Sequence, residues 1–379
     1  MTRSSIFHPD YSPTPYWWEA YRPVAGDLAD VPREARVAIV GGGYAGLAAS
    51  LEFARLGIDA VVLEAGALGI GASTRNGGSV SGGVNIGKSF SGRATPVDAE
   101  RTHHLLADAS DAFSLIERLI ADEGIACFWA KRGRFVGAWT PAHYAYQQKR
   151  LASLNDDAQS GASMVPRGRQ REEIASDYYY GGMVVERSAS LHPALYYKGL
   201  LDACRRRNVS ICAEAAVENI VAEGNGWRVR TRRGTVIAGD VVIATNGYTG
   251  AITPALRRRV VPIASHIIAT EPLPPDLAAS LIPKLRSLSD TKRVLCYYRM
   301  SPDGTRMVFG GRARFTPANP ELCGQVLHGY MSARFPQLRG ARITHSWTGN
   351  TAFTSTRCRI WARRAGCIMR SGAMAAASR

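Results

Sequence analysis

The sequence predicts an α/β fold in two halves, a parallel βαβ unit near the N-terminus and a β-rich α+β half with a mixed sheet after it. Three features carry this reading. Residues 36–64 run as apolar strand, glycine turn, helix and apolar strand; Val241, Val242 and Ile243 make a second buried strand that ends in another glycine turn; residues 262–312 read as strands joined by a hairpin turn. Wholly apolar strands alternating with helices belong to a parallel sheet covered on both faces, and a hairpin belongs to an antiparallel one.

Residues 1–34 read as an N-terminal extension, in which Trp17 and Trp18 of PTPYWWEAYRP form a clamp packing on the domain. The segment has no apolar signal core, and no later stretch approaches the ~20 consecutive apolar residues of a membrane helix. The expectation is a cytoplasmic chain with no integral membrane segment.

The first structural unit is the most specific. Arg36–Val40 is a strand, Ala45–Leu56 a helix and Ile58–Leu63 a second strand, with Gly41-x-Gly43-x-x-Gly46 at the turn and Glu64 closing the unit. This is a Rossmann-like nucleotide fingerprint. Gly41 permits the tight turn, Gly43 lets a pyrophosphate approach the backbone, and Gly46 lets helix and strand pack closely, while the helix N-terminus offers N–H groups to the anion. Glu64 would accept hydrogen bonds from ribose hydroxyls and repel a 2′-phosphate, which disfavours NADP. NAD and FAD both remain open at this point.

The next loop, GIGASTRNGGSVSGG (Gly69–Gly83), mixes glycines with Ser73, Thr74, Arg75 and Asn76. Such a loop brings backbone N–H groups, hydroxyls and one cation against a second stretch of an extended cofactor. Asp98–Gly124 and Pro141–Asp157 read as inserted helices. Residues 184–234 read as helix, strand and a small hairpin turning near Gly224–Gly226. Thr245, Asn246 and Gly247 then form a turn at the C-terminal end of the Val241–Ile243 strand, where open parallel sheets place ligands. Pro262–Glu271, Arg293–Met300 and Thr305–Arg312 are strands, the last two joined through Ser301–Gly304.

Composition narrows the function classes. The 379 residues are 46% hydrophobic with a formal net charge of +16, and the basic residues lie in short groups such as Arg205–Arg207 and Arg257–Arg259. That is a solvated basic surface and not a nucleic-acid groove. The seven cysteines are scattered, with no C-x-x-C pair and no histidine at ligand spacing, so no metal site is expected and the thiols read as buried.

Taken together, VAIVGGGYAGLAAS, GASTRNGG, SLHPALYYKGL, ATNGYT, VPIASHIIATEPL, the hairpin RVLCYYRMSPDGTRMVFGGRAR and the W-x-G at Trp347–Gly349 carry a family resemblance. The chain resembles the D-amino-acid oxidase superfamily of FAD-dependent amine and amino-acid oxidoreductases, and within it the gamma-glutamylputrescine oxidoreductase-like bacterial branch. The resemblance runs through nearly the whole chain up to Thr354. Thr74 stands where the family has glycine, which demands a compatible backbone there.

The resemblance implies the D-amino-acid oxidase/glutathione-reductase-like architecture, with an FAD-binding domain from residues 35–95 and 184–255 and a substrate domain from 96–183 and 256–354. It implies FAD held by Gly41, Gly43 and Gly46 at the pyrophosphate and by Glu64 at the ribose. Ser73, Arg75, Asn76, Gly77 and Gly78 would line the flavin side, Val217 would meet the adenine through its backbone, and Thr245, Asn246 and Gly247 would complete the site. It implies a small-molecule amine or amino acid as substrate, losing a hydride to the flavin and giving an imine that hydrolyses. His266, Tyr298, Arg312 and His345 are the substrate-positioning candidates, and no catalytic residue is assigned. A pyridine-nucleotide dehydrogenase is the alternative enzyme class. Neither the particular amine nor the electron acceptor is encoded in these motifs.

From Ser355 onward the family pattern stops. The tail has six arginines and no Asp, Glu or Lys. One choice among the synonymous codons for residues 355–378, read one base earlier from the Thr354 codon, gives a family-like F-D-A-L-P-H-L-G and a later N-G-S-G-V. Residues 355–379 therefore read as an out-of-frame ending, and the chain as an impaired or inactive relative of an intact enzyme.

Overall fold

A computed structural model describes residues 6–23, 28–82, 99–313, 319–354, 360–364 and 367–371. In chain order its strands are β1 (Phe7–Ser12), β2 (Glu34–Val40), β3 (Ala60–Leu63), β4 (Ser79–Ser81), β5 (Arg134–Gly137), β6 (Ala162–Val165), β7 (Gly182–Val185), β8 (Ser188–Ser190), β9 (Ser210–Cys212) and β10 (Val217–Glu223). They continue as β11 (Gly226–Thr231), β12 (Thr235–Ile243), β13 (Val260–Thr270), β14 (Ser287–Asp290), β15 (Cys296–Met300), β16 (Met307–Gly311), β17 (Ile343–Thr354), β18 (Ile360–Arg364) and β19 (Cys367–Ser371). The helices are α1 (Tyr44–Arg55), α2 (Ala99–Asp122), α3 (Pro141–Lys149), α4 (Leu151–Ala158), α5 (Pro193–Arg206), α6 (Pro254–Arg257), α7 (Pro275–Leu281) and α8 (Pro320–Arg334).

The smaller sheet is the expected nucleotide unit. Its path is β10-β11-β12-β2-β3-β9, with β12, β2, β3 and β9 running parallel. Val37, Ile39 and Val62 turn to one face, under α1 and α5, while Ala38, Val40, Val61 and Val241 turn to the other. Burial on both faces is why these strands read as unbroken apolar runs. The hairpin at 224–225 joins β10 to β11 in the predicted place. Tail residues 360–364 and 367–371 pair with each other, and β19 adds in parallel to β12, Cys367 opposite Val241. The rest of the tail lies outside the described residues.

The larger sheet has nine strands in the order β1-β17-β13-β16-β15-β14-β5-β7-β6. Side chains alternate across it. One face, here the back, carries Phe135, Ile268, Leu288, Tyr298 and Phe309 into a core closed by Leu327 and Met331 of α8. The other, the front, carries Ile267, Ala269, Val308 and Trp347 against Trp17 and Ala194.

Two expectations are corrected. The helix expected over 141–157 is two helices, α3 and α4, meeting at Arg150. The N-terminal extension is not only a clamp: β1 joins the larger sheet beside β17. No described helix is long and apolar enough to cross a membrane. The described residues hold no group of three or more His, Cys, Asp or Glu that could hold a metal.

Candidate functional site

The glycine turn is built as its spacing requires. Gly41 has φ +108°, and a Cβ there would lie 2.8 Å from the Ala244 carbonyl oxygen. A Cβ on Gly46 would lie 1.9 Å from the Gly41 carbonyl oxygen, so α1 and the turn are as close as backbones allow. Gly43 is the residue before α1 and supplies no side-chain cap. Instead Ser73, from the next loop, accepts a hydrogen bond from the Tyr44 N–H at 3.0 Å. The loop is thereby tied to the helix N-terminus.

Glu64 follows β3 and lies beside the glycine turn, at the same end of the parallel sheet. Its carboxylate accepts from the Gly42 N–H at 2.7 Å and the Gly66 N–H at 3.2 Å, and burial pushes its pKa up. The Glu64 carbonyl accepts from Ala215 N–H at 2.8 Å, which brings Val217 to the same end of the sheet. The Thr245–Gly247 turn follows β12. Asn246 has φ +47° and accepts from the Ala352 N–H at 3.1 Å, and a Cβ on Gly247 would lie 2.9 Å from the Asn350 backbone.

The Gly69–Gly82 part of the loop lies between the nucleotide unit and the front of the larger sheet. Three indoles fix it: Trp17 donates to the Asn76 carbonyl at 2.8 Å, Trp18 to the Thr74 hydroxyl at 2.9 Å, and Trp347 to the Arg75 carbonyl at 2.8 Å. Thr74 needs no glycine-like backbone, because it closes a short 3-10 turn and donates its hydroxyl to the Gly69 carbonyl at 2.6 Å. Arg75 is turned inward to the protein. Its guanidinium donates to the carbonyls of Ile70 and Thr348 and stacks on Trp18, 4.5 Å from the ring centre. Asn76 bridges the loop, donating to the Ser73 carbonyl and accepting from the Gly78 N–H, both at 2.9 Å. A Cβ on Gly77 would lie 2.9 Å from the Tyr297 ring; on Gly78, at φ +69°, it would lie 2.2 Å from the Leu191 carbonyl oxygen and 2.7 Å from Arg299.

The four positioning candidates fall in different places. Tyr298 and His266 are on the back. The Tyr298 hydroxyl bonds that of Tyr179 at 2.8 Å beneath α8, and its ring stacks on Phe309. His266, fully buried on β13 between Ser265 and Ile267, has both ring nitrogens without a hydrogen-bond partner among the described residues, and burial lowers its pKa. His345 is on the front but at the strand end, edge-on to Tyr16 and 3.4 Å from Glu19; burial, then Arg306, holds it at about 4. Arg312 is the candidate on the front beside the loop's partner Tyr297, with its guanidinium over the Phe353 ring.

Three front-face residues escaped the sequence reading. Tyr297 packs against Gly77 and over Gly310, where a Cβ would lie 2.2 Å from its ring, and its hydroxyl bonds Ser265 at 2.7 Å. Burial pushes that hydroxyl up to about 12. Arg299, two residues along β15, donates to the Leu191 carbonyl at 2.6 Å and lies over Trp17. Arg134 on β5 is 1% exposed. Burial pulls the pKa of each guanidinium down to about 10, so both stay charged at neutral pH. The glycines opposite Tyr297 were the available signal.

A family model described as "FAD dependent oxidoreductase" (DAO) matches residues 36–373. Gamma-glutamylputrescine oxidoreductase of Escherichia coli is 32% identical over 329 residues, 85% of this chain and 74% of that protein. The probable oxidoreductase OrdL of Haemophilus influenzae is 30% identical over 324 residues, 83% of this chain and 72% of that one. Among solved structures, glycine oxidase from Geobacillus kaustophilus superposes with a TM-score of 0.73 at 20% identity, covering 90% of both chains. L-amino acid deaminase from Proteus vulgaris, with its specific insertion deleted, gives 0.74 at 16%, covering 97% of this chain and 92% of that one. At such identities the two structures speak to the fold alone.

Proposed function

This chain belongs to the DAO family of FAD-dependent oxidoreductases, and from that membership we propose that it oxidises a small amine or amino acid at the carbon bearing nitrogen. The carbon loses a hydride and the nitrogen a proton, leaving an imine that water hydrolyses to a carbonyl compound and an amine or ammonia. FAD, when bound, accepts the hydride.

The single observation that carries the reading is the placement of the Gly69–Gly82 loop. It is tied through Ser73 to the N-terminus of α1 and through Gly77 to Tyr297 on the front of the larger sheet. A dinucleotide grasped by one end of this loop leads toward the face where a substrate would sit. The residues present fit FAD: Gly41 and Gly46 let the turn and α1 close up, Gly43 leaves the backbone open to a pyrophosphate, and Glu64 with the Val217 backbone suits the adenosine end. Ser73, Arg75, Asn76, Gly77 and Gly78, with the Thr245–Gly247 turn, would enclose the flavin end. The corresponding division of the chain is an FAD unit from 35–95 and 184–255 and a substrate unit from 96–183 and 256–354. Tyr297, protonated throughout the neutral range, can orient an amine, whose own neutral form must be presented for hydride loss.

Anaerobic addition of an amine panel to the purified protein tests the proposal. Bleaching of a protein-bound flavin spectrum is expected; a protein that binds NAD and no flavin overturns it. The acid-free tail favours a second reading, an out-of-frame ending that impairs turnover. Resequencing across codon 354 decides this: an uninterrupted frame, with the same tail peptide found by mass spectrometry, rejects it.

A further inference from the structure

Residues Tyr16–Glu19 form one short 3-10 turn between β1 and β2, and its side chains reach both halves of the site. Trp17 and Trp18 reach the Gly69–Gly82 loop, donating to the Asn76 carbonyl at 2.8 Å and the Thr74 hydroxyl at 2.9 Å. Tyr16 and Glu19 reach the larger sheet. The Tyr16 ring lies edge-on to His345, 5.8 Å between centres, and the Glu19 carboxylate is 3.4 Å from His345 Nε2. Trp17 meets the sheet as well, edge-on to Trp347. The turn is itself anchored by β1, which pairs with β17.

Thr74 passes this hold to the loop. Its side chain is fully buried, and its one hydroxyl accepts from Trp18 while donating to the Gly69 carbonyl at 2.6 Å. A hydroxyl that accepts is polarised into a stronger donor, so a bond from outside the loop tightens one inside it. Arg75 lies over the Trp18 ring, and its carbonyl takes the Trp347 indole. Three successive loop residues, Thr74, Arg75 and Asn76, are thus pinned by indoles that do not belong to the loop.

A glycine-rich loop has many conformations to lose, and a ligand that needs one of them binds more weakly by the fraction of time the loop is elsewhere. Bonds that hold the required conformation in advance remove that cost. We propose that the Tyr16–Glu19 turn is a strap that presets the Gly69–Gly82 loop for FAD, with Trp18 and Thr74 as the positioning residues that close it. This rests on the FAD reading of the loop and gives the N-terminal segment a part in it. By linkage, the strap is held more tightly in the FAD-loaded protein by the same factor.

The test titrates FAD into the full chain and its variants by flavin fluorescence, and follows amide hydrogen exchange with and without FAD. Trp18→Phe keeps the ring under Arg75 and removes the N–H. Thr74→Val keeps the shape of threonine and removes the hydroxyl, and Thr74→Ser restores the hydroxyl. Loss of one ordinary hydrogen bond predicts an FAD dissociation constant about three- to tenfold higher in Trp18→Phe. Thr74→Val loses two bonds and should be raised about tenfold or more, with Thr74→Ser near the parent. The double variant Trp18→Phe/Thr74→Val should be no weaker than Thr74→Val, because both changes remove the same bond. Tyr298→Phe, which breaks a bond of the same kind on the back of the sheet, is the control: its FAD affinity should not change. Amides of the loop should exchange faster in Trp18→Phe, and FAD should slow exchange at Trp17 and Trp18 of the parent. Unchanged FAD affinity and loop exchange in Trp18→Phe, or equal weakening in Tyr298→Phe, would reduce the strap to packing and overturn the proposal. A parent that takes up no FAD defeats the function reading and the strap's cofactor role with it, whereas a flavin-binding parent indifferent to Trp18 and Thr74 defeats the strap alone.

Discussion

The two faces of the nine-stranded sheet bury charge in opposite ways. On the back, Arg334 at the C-terminal end of α8 meets the Asp290 carboxylate, and its Nε donates to the Tyr179 hydroxyl at 2.9 Å, itself bonded to Tyr298. On the front, Arg134 and Arg299 have no carboxylate partner among the described residues, Tyr297 meets a glycine loop, and the neighbouring glycines remove side chains that would fill the space. Charge closed by the protein's own groups is structure. Charge that meets no carboxylate among the described residues, beneath the Gly69–Gly82 loop, is not closed in that way.

The largest effect should come from breaking the closed side. Asp290→Asn leaves Arg334 buried without its counter-ion, which costs about 3–5 kcal/mol. Denaturant unfolding should show the midpoint falling sharply, and an unchanged midpoint would mean that water or another group neutralises Arg334. Next is cofactor retention. Gly43→Val puts a side chain where a pyrophosphate must enter, with its Cβ 3.0 Å from the Ser73 hydroxyl. Flavin content per chain should drop severalfold while far-ultraviolet circular dichroism stays the same; full flavin content would move the phosphate site elsewhere.

The two tyrosines of β15 sharpen the contrast at a smaller scale. Tyr298→Phe should lower stability by about 1 kcal/mol and leave kcat alone. Tyr297→Phe loses its own bond to Ser265 and should cost about the same stability, but should also cut kcat/KM about tenfold or more. Identical profiles for the pair would erase the distinction between the faces. The smallest effect is at the edge of the front. His345 is held at about 4, below its ordinary 6.5, by burial and then Arg306; half-exposed Glu19 pulls the other way and is outweighed. A depressed pKa means stability that is full above the unfolded value and lost as pH falls through the folded one. Thermal midpoints should therefore decline between pH 6.5 and 4, and His345→Gln should flatten that slope.

How much of this was legible beforehand depends on how local the cause was. The turn at Gly41–Gly46 and the hairpin at 224–225 are dictated by backbone geometry within a few residues, and both stand where the sequence puts them. The phase of a strand is another matter. YYR at 297–299 reads as a strand either way, but the sequence does not say which tyrosine faces the loop, and a shift of one residue exchanges the faces. Tyr298 was the candidate that the family resemblance implied, and Tyr297 is the one that lies against Gly77. Arg134 and Arg299 are illegible in principle, because an unpaired charge is defined by what the fold fails to bring to it. β17 and α8 went unassigned: α8 is capped by Asn319 yet interrupted by Gly324 and Gly329, which weakens its helical signal.

Thermal unfolding of Arg299→Met beside Arg334→Met measures the difference between the faces most directly. Arg334→Met strands the Asp290 carboxylate and should lose about 3–5 kcal/mol, whereas Arg299→Met strands only the Leu191 carbonyl while removing a buried charge, and should lose about 1 kcal/mol or less. If both variants fall by the same large amount, Arg299 is as structural as Arg334, and the two faces do not bury charge in opposite ways.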